Sequence, residues 1–139
     1  MIGLVIVAHK PVASGFYAAA RHVLGADPPQ LRWLDVESNE ETSALLHRAR
    51  ELVDEVDSGD GVLVCSDICG ATPCNTATQL VQSGRVNVIS GLNLPMLLRA
   101  INYRKLPLEE LTEKAFAGGM GGVMRMEKDD AKKIDSDYQ

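Results

Sequence analysis

No stretch of the 139-residue chain approaches the roughly 20 consecutive apolar residues that span a bilayer. The run Ile2 to Ala8 is too short and is broken by His9-Lys10-Pro11. It also lacks the charged start and small-residue cleavage site of a secretory leader, so a cytoplasmic location is expected. Basic residues are in deficit: 14 Lys and Arg against 19 Asp and Glu give a net charge of −5. With no Lys/Arg stripe, a nucleic-acid surface is excluded. Neither a G-x-x-x-x-G-K-[ST] loop nor a G-x-G-x-x-G turn occurs, which removes the ordinary nucleotide cradles. Cysteine is scarce, with only Cys65, Cys69 and Cys74, clustered around one segment. An odd count opposes a disulfide framework, and C-x-x-C is missing. The spacings match no common zinc signature. Packing or loop roles are expected for the thiols, and no metal or cofactor.

What is present alternates between strand and helix. Ile2 to Ala8 reads as a buried strand ending at His9, and Gly61 to Ser66 as a second buried run ending at Asp67. Between them, Ser14 is expected to cap a helix over 15–24 closed by Gly25, and Leu31 to Val36 to form a strand. Ser38-Asn39-Glu40-Glu41 reads as a capping box for a helix whose apolar face carries Leu45, Ala49, Leu52, Val53 and Val56. Thr72 is expected as an N-cap with Pro73 in first helical position, the helix running to Ser83-Gly84. A fourth strand over 86–90 follows, then helices over 95–103 and 108–117. The glycine run 118–122 is expected to be flexible, Val123 to Met126 to form a short edge strand, and residues 128–139 a charged, frayed tail after a single domain over 1–127.

This alternation predicts an α/β fold: an open, mainly parallel sheet of about four strands with helices on both faces. Ligands of such sheets sit beyond the carboxyl ends of the strands, which is where His9 and Asp67 fall. Asp35 ends another strand and is expected to border the same edge, whereas His22 and His47 read as surface residues.

The pair has a definite chemistry. Neutral imidazole is a nucleophile toward phosphorus near neutral pH. A carboxylate receiving the hydrogen of one ring nitrogen fixes the tautomer, presents the other nitrogen and stabilises the positive charge that develops. Phosphoryl oxygens need donors, and the turn Ile68-Cys69-Gly70-Ala71-Thr72 exposes backbone N–H groups and a hydroxyl at a helix start. The other reading of the same edge is a non-catalytic α/β module that binds a phosphorylated ligand without covalent change.

Val7-Ala8-His9, Asp67-Ile68-Cys69-Gly70-Ala71-Thr72-Pro73-Cys74-Asn75 and Gly91-Leu92-Asn93-Leu94-Pro95-Met96 together resemble the mannose-type IIA component of the bacterial phosphoenolpyruvate:sugar phosphotransferase system, in order and from residue 1 to about 127. The resemblance implies that His9 is phosphorylated by phospho-HPr, that Asp67 orients it and that Thr72 lies near the phosphate. It implies no nucleotide or metal. It also implies a homodimer in which a C-terminal edge strand crosses to the partner's sheet, with 118–122 as its hinge. No Ala/Pro-rich linker into a IIB domain follows. The implied acceptor is therefore a separate IIB protein or a regulatory target, and any membrane contact runs through a transporter complex. Phosphodonor subunits of dihydroxyacetone kinase resemble the same domain.

Overall fold

The computed structural model describes residues 1–128. The element order is β1 (Gly3–His9), α1 (Val12–Leu24), β2 (Leu31–Val36), α2 (Thr42–Val56), β3 (Val62–Ser66), α3 (Thr72–Thr78), β4 (Val86–Ser90), α4 (Leu94–Asn102) and α5 (Leu108–Gly121). The four strands form one sheet in the order β2-β1-β3-β4, every neighbouring pair parallel. The expected α/β class and strand count hold. The direction in which the chain adds strands reverses between β1 and β3, so their carboxyl ends flank the crevice such sheets use for ligands.

Alternation along each strand feeds two cores. Leu4, Ile6, Leu63 and Cys65 face α1, α4 and α5, where they meet Ala13, Ala20, Leu97, Ala100, Leu111 and Ala115. Val5, Val7, Val62 and Val64 face α2 and α3, against Leu45, Ala49, Val53 and Ala77. Each fully buried Val or Leu contributes about 1.5–3 kcal/mol of transfer free energy. Strands covered on both faces are apolar at every position, which is why β1 and β3 are legible as uninterrupted runs.

Several expected boundaries differ. Helix α1 starts at Val12, with Pro11 at its N-cap and the Lys10-Pro11 peptide cis. Ser14 is therefore inside the first turn, where its N–H and hydroxyl are taken by Asp35. The capping box over 38–41 does not form. Helix α2 begins at Thr42 and Glu41 is an extended N-cap without a side-chain cap bond. Glu40 is drawn to Arg48 instead, at 3.0 Å, and the Glu41 carboxylate accepts from Ser43. Helix α3 stops at Thr78 rather than near Ser83. The N–H groups of Gln79, Leu80 and Val81 reach back only three residues, to Thr76, Ala77 and Thr78, which tightens and ends the helix.

At the C-terminal side the expected flexible glycines are helical, and α5 continues through Gly121. Gly118 and Gly119 are buried against α4. A Cβ on Gly118 would lie 3.0 Å from Arg99 Cβ, and one on Gly119 would lie 2.5 Å from Met96 Cε. The missing side chains let the two helices approach closely, and that packing outweighs the helix penalty of glycine, about 1 kcal/mol per residue. The Asn93 amide also donates to the Gly119 carbonyl at 3.0 Å. Residues 123–127 follow without regular structure in the single chain. From residue 129 onward, the charged tail lies outside the described residues.

Candidate active site at the carboxyl end of the sheet

Parallel pairing of β1 with β3 sets Val7 opposite Ser66, so His9 and Asp67 leave adjacent strands side by side. His9 Nδ1 lies 2.8 Å from Asp67 Oδ2, and the His9 backbone N–H donates to the same oxygen at 3.0 Å. The other oxygen, Oδ1, accepts the Ile68 N–H at 2.9 Å. Burial by itself raises the Asp67 pKa, but the hydrogen bonds from the His9 ring, the His9 N–H and the Ile68 N–H outweigh it and hold the group below its ordinary value. Asp67 is therefore a carboxylate and can only accept, so the hydrogen sits on Nδ1. The ring's Nε2 has no contact with Asp67, and the His9 side chain is 47% exposed against 14% for Asp67.

The segment after Asp67 turns at Gly70, whose φ of +88° lies in the left-handed region that glycine enters without steric cost. Ile68, Cys69 and Gly70 are exposed, and Ala71 is the extended N-cap of α3. The expected cap at Thr72 is displaced by one residue: Thr72 is the first helical residue and Pro73 the second, and no side chain caps the helix. The Thr72 side chain is thus exposed and its hydroxyl is not spent on a cap. The five residues expected to face an anion follow Asp67 directly, four of them exposed and Ala71 half-buried, and run from the loop into the start of α3.

Asp35 is not part of this group, because its carboxylate is committed to Ser14. Lys10 turns toward Glu37, with Nζ 2.8 Å from Oε1. Together with His9, Val36, Ser38, Asn39 and Glu40 they line an open cleft of about 530 Å³ beside the imidazole. His22 is exposed, and His47 is an exposed partner of Glu51 at 2.9 Å. The Gly91-to-Met96 motif is structural. Asn93 caps α4 by accepting the Met96 N–H at 3.0 Å, and the Leu92 N–H bonds the Ser66 carbonyl at 2.9 Å beneath Asp67. Asn before Leu-Pro is a readable cap signal, yet the sequence reading stopped at the proline.

The family model EIIA-man, described as the PTS system fructose IIA component, matches residues 3–116. The chain belongs to that family. This IIA chain is 27% identical over 135 residues to the PTS system mannose-specific EIIAB component of Escherichia coli (strain K12), covering 95% of the chain but 42% of that protein. The chain thus spans less than half the length of this relative. Among solved structures, phosphotransferase system component EIIA from Streptococcus agalactiae superposes with a TM-score of 0.80 at 23% identity, over 90% of the IIA chain and 97% of its own. The PTS IIA protein associated with the fucose utilization operon from Streptococcus pneumoniae gives 0.73 at 26% identity, over 88% and 91%. Sheet, crossovers and helix placement are those of PTS IIA components. Among the described residues no helix is long and apolar enough to cross a membrane.

Proposed function

We propose that this IIA component is a cytoplasmic phosphocarrier whose His9 Nε2 accepts a phosphoryl group from the phosphohistidine of HPr and yields it to a IIB component or holds it as a regulatory signal. The observation that carries the reading is the 2.8 Å contact of Asp67 with Nδ1, which leaves Nε2 as the free nitrogen on an exposed ring. In the transfer, the Nε2 lone pair forms the new N–P bond while the donor's N–P bond breaks and its electron pair returns to the donor imidazole. The His9 ring becomes cationic, and the carboxylate already in contact stabilises that charge. Transfer onward reverses these events. Ile68 to Thr72 are the proposed phosphoryl cradle, through backbone N–H groups and the Thr72 hydroxyl, which stabilise the equatorial oxygens. The chemistry requires no metal.

Incubation of the chain with phosphoenolpyruvate, Enzyme I and HPr is expected to give acid-labile, alkali-stable phosphate. His9→Ala is expected to abolish it, and Asp67→Asn to slow its appearance by about 10–100-fold. Label that persists without His9 would reject the carrier role. Binding of a phosphorylated ligand with no covalent modification would favour the non-catalytic reading.

A homodimer belongs to the same proposal. β4 is an edge strand of the sheet, bridged at its first residue, Val86, to Gln82. Beside it a groove of about 350 Å³ is lined by Val88, Ile89, Ser90, Thr112, Glu113 and Phe116, and Met120, Val123 and Met126, later in the chain, are exposed. Residues 123–126 of a second copy would pair with β4 and cover this surface. Sedimentation equilibrium of the full chain is expected to report a dimer, and a monomer at micromolar concentration would reject the exchange.

A further inference from the structure

A lysine follows His9 in the chain, and both line the same cleft. The Lys10 N–H donates to the Val36 carbonyl at 3.1 Å, next to the register pair His9–Val36, so its backbone is anchored where β1 and β2 end. Its side chain is held less firmly. The ammonium reaches Glu37 Oε1 at 2.8 Å, and both side chains are 59% exposed. The hydrogen bond to Glu37 raises the Lys10 pKa, with the charges of Glu37, Asp35 and Glu40 adding to it, and the same bond lowers that of Glu37. Both groups are therefore ionised at neutral pH. The other charges of this rim are committed elsewhere: Asp35 holds Ser14, and Glu40 lies 3.0 Å from Arg48. Exposed ion pairs such as Lys10–Glu37 are weak, because water screens them and two long side chains must be held still. The ammonium can exchange partners easily.

Charge decides which partner wins. Residues 68–72 offer N–H groups and one hydroxyl but no cation, and the chain already carries a net charge of −5. A phosphoryl group on Nε2 adds a charge of about −1.5 to −2 near neutral pH. Among the described residues that line the His9 cleft, Lys10 is the one Lys or Arg. The phosphoryl group outbids the single charge of Glu37 with a larger charge and three acceptor oxygens. We propose that Lys10 is a phosphoryl clamp held in reserve by Glu37: its ammonium leaves Glu37 for the phosphoryl oxygens when His9 is loaded and returns when the group departs. This assignment deepens the carrier reading and rests on Nε2 as the loaded nitrogen. The exchange leaves Glu37 bare in the loaded chain, so the exposed charge beside the imidazole differs between the two states.

The test uses the full chain carrying His22→Gln and His47→Gln, which leaves His9 as its one imidazole. Phosphoramidate loads the ring without a partner protein, and phosphorus NMR follows the second ionisation of the phosphoryl group, near pH 6 or roughly so. A cation paired with the group favours its dianion and lowers that midpoint. Lys10→Met is expected to raise it by about 0.5 pH unit, a roughly threefold change in proton affinity, and Lys10→Arg to restore it. Glu37→Gln, which frees the ammonium, is expected to leave the midpoint at or below the parent's. Carbon NMR is expected to show the Glu37 carboxyl titrating higher in the loaded chain than in the free one. A midpoint unmoved by Lys10→Met, or a Glu37 titration unchanged on loading, would overturn the clamp. In a second arm phospho-HPr is the donor, and Lys10→Met is expected to lower the equilibrium constant for transfer by about threefold. A chain that shows the midpoint shift but takes nothing from phospho-HPr would overturn the carrier reading alone. One that labels from phospho-HPr with an unmoved midpoint would overturn the clamp alone.

Discussion

The carboxylate of Asp35 accepts both the backbone N–H of Ser14, at 3.0 Å, and the Ser14 hydroxyl, at 2.6 Å, so a strand residue closes the first turn of the helix beside it. Pro11, at the N-cap of α1, has no side-chain acceptor to offer, and Asp35 supplies the missing oxygen from 21 residues away. The carboxylate also places negative charge near the helix N-terminus, where the macrodipole favours it.

Asp35→Ala is accordingly expected to cost ~1–2 kcal/mol of stability, the value typical of a lost helix cap. Urea denaturation at neutral pH measures it directly. Asp35→Asn, which keeps an acceptor oxygen, should recover part of the loss. Equal stability of the Ala variant and the parent would show that solvent satisfies the Ser14 N–H as well as the carboxylate does.

Asp57 ends α2 and organises the turn into β3. Its pKa is lowered by the Gly59 N–H first of all; burial opposes the shift, and Arg85 and the Gly61 N–H reinforce it. A carboxyl whose folded pKa is depressed adds stability that is complete above its unfolded value, about 3.9, and disappears as the pH falls through the folded value. The stability gap between the parent and Asp57→Asn is therefore expected to be constant from pH 7 to about pH 5 and to shrink below about pH 4. Chemical denaturation across that range checks the sign; a gap that widens on acidification contradicts it.

Arg104 is a buried cation, 3% exposed, that no sequence signal marks. Its guanidinium donates to the carbonyls of Ile2 at 2.9 Å and Gln30 at 2.7 Å, and to that of Pro29. Burial lowers its pKa to about 10, so it remains charged at neutral pH. Arg104→Met would take this donor from the Ile2 and Pro29 carbonyls, each costing about 1–3 kcal/mol, while the Gln30 carbonyl keeps the Leu4 N–H. A loss of roughly 2 kcal/mol or more is expected in denaturant titrations, with Arg104→Lys intermediate. A Met variant as stable as the parent would mean that water enters and takes over these carbonyls.

Sequence reading succeeded where one local pattern decides the outcome. β1 and β3 are uninterrupted apolar runs because both their faces are covered, and the polar residue that stops each run is the one that reaches the site. His9 and Asp67 were legible for that reason, and parallel pairing does the rest. Elements set by tertiary partners were not legible. Ser14 resembles a cap, but its role depends on Asp35 in another strand. The glycines at 118–119 look like a hinge until Arg99 and Met96 are in place beside them. Thr72 missed the cap by one position, an error of the size that helix ends ordinarily carry.

The Arg104 clasp joins Ile2, Pro29 and Gln30 at the end of the sheet where β1 and β2 begin, whereas His9 and Asp67 lie where β1 and β3 finish. Fastening and the proposed chemistry therefore occupy opposite poles of the same strands. Substitutions on the rim proposed to meet partners can leave the knot that keeps the chain closed untouched, a full strand length away.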